Sequence, residues 1–146
     1  MSREDLLQSP GLEALGRMIS GEIPPPSIAE TMGLVLSEVE EGRAVFTARA
    51  DHRHLNPLGM VHGGFAATAL DSATGCAVHT LLEAGVGYAT LDLDVKMLLP
   101  VPVEQELRAV AEVVHQSRRS AVAEGTLEDA EGRVLARGSA ICMIFR

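Results

Sequence analysis

The chain has no tryptophan, one tyrosine, three phenylalanines and two cysteines among its 146 residues, and 12 basic side chains against 20 acidic ones, for a net charge of -8. Each shortage excludes something. A negative balance of that size argues against a nucleic-acid surface and favours solubility, although local clusters of basic residues can still meet an anionic ligand. The cysteines, Cys76 and Cys142, both sit in apolar patterns. They read as small core hydrophobes of a reducing compartment, not as a disulfide framework. No stretch approaches the roughly 18 uninterrupted apolar residues of a membrane span. The N-terminus lacks a basic-then-apolar signal, so a cytoplasmic location without membrane attachment is expected. There is no Walker A motif, no dinucleotide fingerprint, no G-x-S-x-G elbow and no paired CxxC. Internal repeats and low-complexity tracts are also missing.

What is present is enough for one domain with one core, since 47% of the residues are apolar. Residues 1–22 have a helical pattern. Ser2 can cap a first turn, and Ser9-Pro10 is a better start, with Leu12, Leu15, Met18 and Ile19 on one apolar face. Pro24-Pro25-Pro26 reads as an extended linker. From Met32 the period changes to two: residues 33–39 and 43–50 form a hairpin. Residues 63–82 are apolar almost all the way round, and such a helix is buried. Residues 89–99 then alternate, with Leu91, Leu93, Val95 and Met97 on one face and Thr90, Asp92, Asp94 and Lys96 on the other. Residues 105–116, 119–129 and 133–145 follow as three long strands on short turns, an antiparallel meander. The class is α+β, with the sheet curling around the buried helix. One sheet cannot cover such a helix on every side, so at least a dimer is expected.

Two features of the long helix point to chemistry. It starts at Gly63-Gly64, where the first amides have no partner inside the helix and the dipole favours negative charge. With no side chains in the way, a substrate oxygen can reach those amides as in an oxyanion hole, a contact worth about 3–4 kcal/mol in a transition state. The same glycines also suit close packing of helix on sheet, and spacing alone does not choose between the two. Asp71 lies eight residues further on, a lone carboxylate on an apolar helix. It is either a base or nucleophile, or a structural group bonded to backbone or to Ser72 or Thr68. Asn56 and His62 flank the loop before the helix; Asn56 can hold a carbonyl or a water, and His62 can fix the loop. His52-Arg53-His54 lacks a third ligand of matching character and is read as two solvated loop histidines, so no metal is expected. Arg118-Arg119 between Ser117 and Ser120 either binds phosphate or is a solvated basic turn.

At these residues the sequence resembles a known family. Asn56…His62-Gly63-Gly64…Asp71, an N-P-x-G-x-x-H-G-G stretch with an aspartate nine residues after the histidine, resembles the signature of hotdog-fold acyl-CoA thioesterases of the phenylacetate-degradation (PaaI-like) group, within the 4-hydroxybenzoyl-CoA thioesterase superfamily. The resemblance covers roughly residues 30–146. It implies a hotdog fold, with five to six antiparallel strands wrapped around the helix, preceded here by a helical extension, residues 1–30, and followed by the thioesterase domain, residues 31–146. It implies hydrolysis of an aromatic or medium-chain acyl-CoA, with Asp71 as base or nucleophile and the Gly63 amide polarising the carbonyl. Asn56 would position water or thioester, His62 would orient the loop, and Thr90 would assist the water. Gly64, Arg118, Arg119 and Ser120 would meet the coenzyme A portion. No cofactor is implied, coenzyme A being part of the substrate. The family also implies sites shared between subunits of a homodimer, paired into a homotetramer. The acyl pocket is expected near Phe65, Leu58, Met60 and Met97. A non-catalytic acyl-CoA binding or sensing module, and a hotdog dehydratase or hydratase, are the alternatives.

Overall fold

The computed structural model describes residues 3–146, so the Ser2 cap lies outside the described residues. Three short helices come first: α1 (Arg3–Leu7), α2 (Gly11–Ile19) and α3 (Ser27–Met32). The hairpin β1 (Leu34–Glu40) and β2 (Arg43–Ala48) leads through a 3-10 turn, His52–His54, to the long helix α4 (Gly63–His79). The strands β3 (Gly87–Met97), β4 (Leu107–Gln116), β5 (Ser120–Glu128) and β6 (Val134–Phe145) complete the chain. All six strands form one antiparallel sheet in the order β1-β2-β4-β5-β6-β3. This is the α+β hotdog arrangement: the sheet curls around α4, which packs against β2 to β6. Among the described residues, no helix is long and apolar enough to cross a membrane.

The sheet holds α4 because small residues let the two come close. Gly125 of β5 and Gly138 of β6 are directly paired. A Cβ on either would stand 3.4 or 3.2 Å from the side chain of Leu70, which fills the space the two glycines leave. Leu70, Phe65, Ala69 and Ala73 are fully buried, and burying a side chain the size of Leu or Phe contributes about 1.5–3 kcal/mol. The helix stops at His79, three residues earlier than the sequence pattern predicts. The Thr80 hydroxyl donates to the Ala77 carbonyl at 2.6 Å and accepts from the Gly42 amide at 2.8 Å, tying the helix end to the β1–β2 turn.

The N-terminal helices are part of the core. Ala14, Leu15 and Ala29 are buried, Leu15 and Ala29 within the same apolar cluster as Phe65 and Leu70. Gly11 sits so close to the end of α4 that a Cβ there would be 1.8 Å from the His79 carbonyl oxygen. The expected serine cap is not made: α2 begins at Gly11 behind Pro10, without a side-chain cap. Of the expected face, Leu15 is buried, Met18 packs on the core and Ile19 borders a cavity while partly exposed, whereas Leu12 is exposed; Gly11 and Ala14 join the buried side. Residues 27–32 form α3, which Gly33 ends in the left-handed region at φ 66°.

The alternation read along β3 breaks once. Thr90 pairs with Cys142 and Asp92 with Ile141, so Leu91 is an extra residue in a β-bulge. A bulge inverts the alternation beyond it. Thr90 therefore faces α4, and Leu91 is 62% exposed instead of sharing a buried face with Leu93 and Val95. β3 is an edge strand of 11 residues whose second edge carries no partner strand in the sheet.

Candidate active site

The loop before α4 is braced from within. The Asn56 side-chain oxygen accepts from the amides of Leu58 at 2.9 Å and Met60 at 3.1 Å, while the Asn56 amide donates to the Met60 carbonyl at 2.7 Å. Gly59 closes this turn at φ 79°. The Asn56 side-chain NH₂ has no acceptor among the described residues and remains able to donate.

His62 caps α4. Its Nδ1 accepts from the Gly64 amide at 2.8 Å. A ring accepting at Nδ1 carries its proton on Nε2, which leaves an exposed donor beside the helix start. The expectation of two free amides is therefore reduced to one: Gly64 is occupied, and the Gly63 amide has no acceptor among the described residues. The Met97 methyl covers Gly63, 2.9 Å from where a Cβ would stand.

Asp71 is half-buried. The Thr90 hydroxyl, brought to the inner face by the bulge, donates to its Oδ1 at 2.9 Å. Its Oδ2 has no hydrogen-bond partner among the described residues and is left for a ligand or water. The Cys142 sulfur lies 3.9 Å from the same hydroxyl. Ser72 and Thr68 are not the partners of this carboxylate; Thr68 bonds back to the Gly64 carbonyl. Asp71 and Gly63 stand eight residues apart on one helix, a rise of about 12 Å. Within one chain they cannot act on the same carbonyl.

Arg118 and Arg119 occupy the β4–β5 turn, where the Ser117 and Ser120 hydroxyls are 3.0 Å apart. Arg146 donates from Nε to the Arg118 carbonyl at 2.7 Å and pairs with Glu83. Neither Arg118 nor Arg119 makes an ion pair among the described residues. Glu83 follows the C-terminal end of α4, so this turn lies at the far end of a 17-residue helix from Gly63, about 25 Å away along its axis.

Two parts of the surroundings were not foreseen. His54 is buried rather than solvated: its Nδ1 accepts from the Asp51 amide at 3.0 Å, its Nε2 is 2.8 Å from the Thr31 carbonyl, and its ring packs on Phe65. Since both nitrogens are engaged, it joins α3 to the loop instead of presenting a ligand. Of the residues expected at the acyl pocket, Phe65 lines a recess with His62 and Gly64, Met97 lines one with Gly63, and Leu58 is 85% exposed. A further cavity of about 310 Å³ lies between α4 and the N-terminal helices. Met18, Ile28 and Ala29 line it on one side, and Ser72, Cys76, His79 and Tyr88 on another. Positions 72, 76 and 79 share one helix face by spacing, a signal available in the sequence. Burial, then the charge of Asp71, pushes the Cys76 thiol up to about 12. Burial, then the neighbouring thiols and Asp71, raises the Tyr88 phenol, and burial lowers His79.

The family model described as the thioesterase superfamily matches residues 58–136, from the braced loop to β6. The chain belongs to the thioesterase superfamily. Its fold superposes on a phenylacetic acid degradation-related protein from Ralstonia eutropha JMP134 with a TM-score of 0.81 and 33% identity, covering 88% of this chain and 98% of that one. Mouse acyl-coenzyme A thioesterase 13 is 26% identical over 112 residues, 76% of this chain and 78% of the mouse protein. A Caenorhabditis elegans protein carrying an esterase name is 33% identical over 102 residues; the match spans 69% of this thioesterase-superfamily chain and 60% of the nematode protein's length. The superfamily match takes in Gly63, Gly64, Asp71, Thr90 and the Arg118-Arg119 turn, and stops short of the N-terminal helices.

Proposed function

We propose that the chain hydrolyses the thioester of an acyl-CoA, in sites built by two copies. The observation that carries this reading is a division of labour along α4. A free amide at Gly63 begins the helix, and a carboxylate held by Thr90 stands about 12 Å further on. An antiparallel pair of such helices brings Asp71 of one copy opposite the partner's Gly63. The bare edge of β3 supplies the means of pairing, because an unpaired strand edge of that length is a template for another strand. The acyl-CoA thioesterase name of the mouse relative supports coenzyme A as the thiol.

In this site the substrate carbonyl accepts from the Gly63 amide. Asp71 Oδ2 takes a proton from water as the hydroxide adds to the carbonyl carbon. The tetrahedral oxyanion is held by the amide and the helix dipole. Collapse breaks the C–S bond, and the leaving thiolate receives the proton from Asp71, giving free acid and CoA. In the nucleophilic variant, Asp71 displaces CoA to form a mixed anhydride that water cleaves. Asn56, with its NH₂ free, and His62 Nε2–H are donors beside the carbonyl. Arg118, Arg119 and Ser120 of the copy that supplies Asp71 meet the phosphates of coenzyme A. Exposed Ile141, Met143 and Phe145 on β6 form an apolar strip that supports pairing of dimers into a tetramer.

Thiol release from a panel of acyl-CoAs tests the reading. Wild type should release thiol and Asp71→Ala should not, while both bind acyl-CoA. No release by wild type from any ester, with binding intact, overturns it in favour of a binding module.

A further inference from the structure

The wall of the cavity under the N-terminal helices includes near neighbours of the Asp71–Thr90 pair on two elements. Along α4, Ser72 follows Asp71 and Cys76 lies one turn beyond. Along β3, Tyr88 is two residues before Thr90, ahead of the bulge, so both side chains face α4. The charge of Asp71 acts on Cys76 and on Tyr88, both in the cavity wall. Two recesses of similar volume at the helix start, one beside Gly63 between Met97 and Val101 and one beside His62, Gly64 and Phe65, are more open, as is a larger one at the Arg118 turn. Resting on the thioesterase reading, we propose that the acyl group of the substrate occupies the cavity roofed by α2 and α3, which therefore set its length and require it to be uncharged.

The chemistry of the wall fixes both properties. Met18, Ile28 and Ala29 offer only uncharged, apolar side chains. The polar groups opposite them are a serine hydroxyl, a thiol pushed up to about 12, a phenol raised by burial and an imidazole lowered by burial, so all four are neutral at physiological pH. Among the described side chains, no cation lines the cavity to receive a carboxylate, and burying an unpaired charge is strongly unfavourable. An acyl chain gains by filling the apolar space, at about fourfold per methylene. His79 and Tyr88, with ring centroids 5.4 Å apart, lie side by side in the wall.

The test is a series of acetyl-, hexanoyl-, octanoyl-, dodecanoyl- and glutaryl-CoA with wild type, Ala29→Leu, which fills the roof, and Met18→Ala, which enlarges it. The ratio of kcat/KM for dodecanoyl-CoA to that for acetyl-CoA should fall at least about tenfold in Ala29→Leu and rise in Met18→Ala. Glutaryl-CoA should be at least about tenfold poorer than hexanoyl-CoA in wild type. An unchanged ratio in both variants, with melting temperatures near that of wild type, overturns the proposal, as does a shift of both in the same direction. If wild type turns over none of the esters, the thioesterase reading falls alone; the ranking of Kd by calorimetry across the three proteins then decides the pocket by the same opposed shifts.

Discussion

Replacing Thr90 by valine isolates the one hydrogen bond that the Asp71 side chain makes among the described residues. Valine keeps the β-branched shape, so strand β3 and its bulge have no steric reason to change. It removes the hydroxyl that donates to Asp71 Oδ1 at 2.9 Å and puts a methyl beside the Cys142 sulfur. A hydrogen bond to a charged acceptor contributes about 1.5–3 kcal/mol. Both groups are half-buried, so the lower part of that range applies, about 1.5–2 kcal/mol, or roughly 10- to 30-fold in rate. Since the bond orients the carboxylate and touches no part of the acyl chain, kcat should fall by that factor with little change in KM. Steady-state thiol release over a range of acyl-CoA concentrations reads both constants, and Thr90→Ser should recover most of the loss. If kcat of Thr90→Val stays within about twofold of wild type while Asp71→Ala is inactive, the bond is incidental and the reasoning fails.

Gly11→Ala places a Cβ 1.8 Å from the His79 carbonyl oxygen; overpacking of about 1–3 kcal/mol, less the helix-propensity gain, should lower Tm by roughly 2–8 °C, and an unchanged or higher Tm would refute the contact. Asp51 is held well below the usual carboxylate range by hydrogen bonds from Arg53 and by its charge. A depressed folded-state pKa contributes stability that is complete above the unfolded value, about 4, and is lost as pH falls. The urea midpoint of wild type should therefore drop more steeply between pH 6 and about pH 2.5 than that of Asp51→Asn, and parallel curves would sink the idea. Arg118→Ala combined with Arg119→Ala should raise KM for CoA esters by a factor between a few and roughly thirty, two exposed charge contacts contributing up to about 1 kcal/mol each. Esters of a truncated thiol should be unaffected; equal effects on both would remove the phosphate contact.

Much of this site is legible in the residues themselves, because it is local. A helix apolar on every side announces its own burial, and a lone carboxylate in it announces a constraint. The glycine pair and the loop residue Asn56 lie in one short stretch. What the sequence hides depends on partners far along the chain. Alternation from Leu91 to Met97 is regular as written, yet the bulge is set by pairing with β6, and only that pairing turns Thr90 toward Asp71. His54 looks like a solvated loop histidine until α3 folds over it and the Thr31 carbonyl reaches its ring. α3 itself is six residues long, too short for a helical period to declare itself. Gly11 has no turn or cap to mark it; its need is an approach to His79 from a distant helix.

The N-terminal helices have a consequence for inheritance. The superfamily match begins at residue 58 and contains Gly63, Asp71 and Thr90. Leu15 and Ala29, which lie before it, are buried in the same core as Phe65, and the cavity walled by Met18, Ile28 and Ala29 opens beneath that segment. Descent can therefore conserve the cutting residues while the roof drifts. Under the proposed pocket, two kin with the same catalytic stretch need not share a diet, and a preference measured on one of them would transfer to another only where the first thirty-odd residues transfer too.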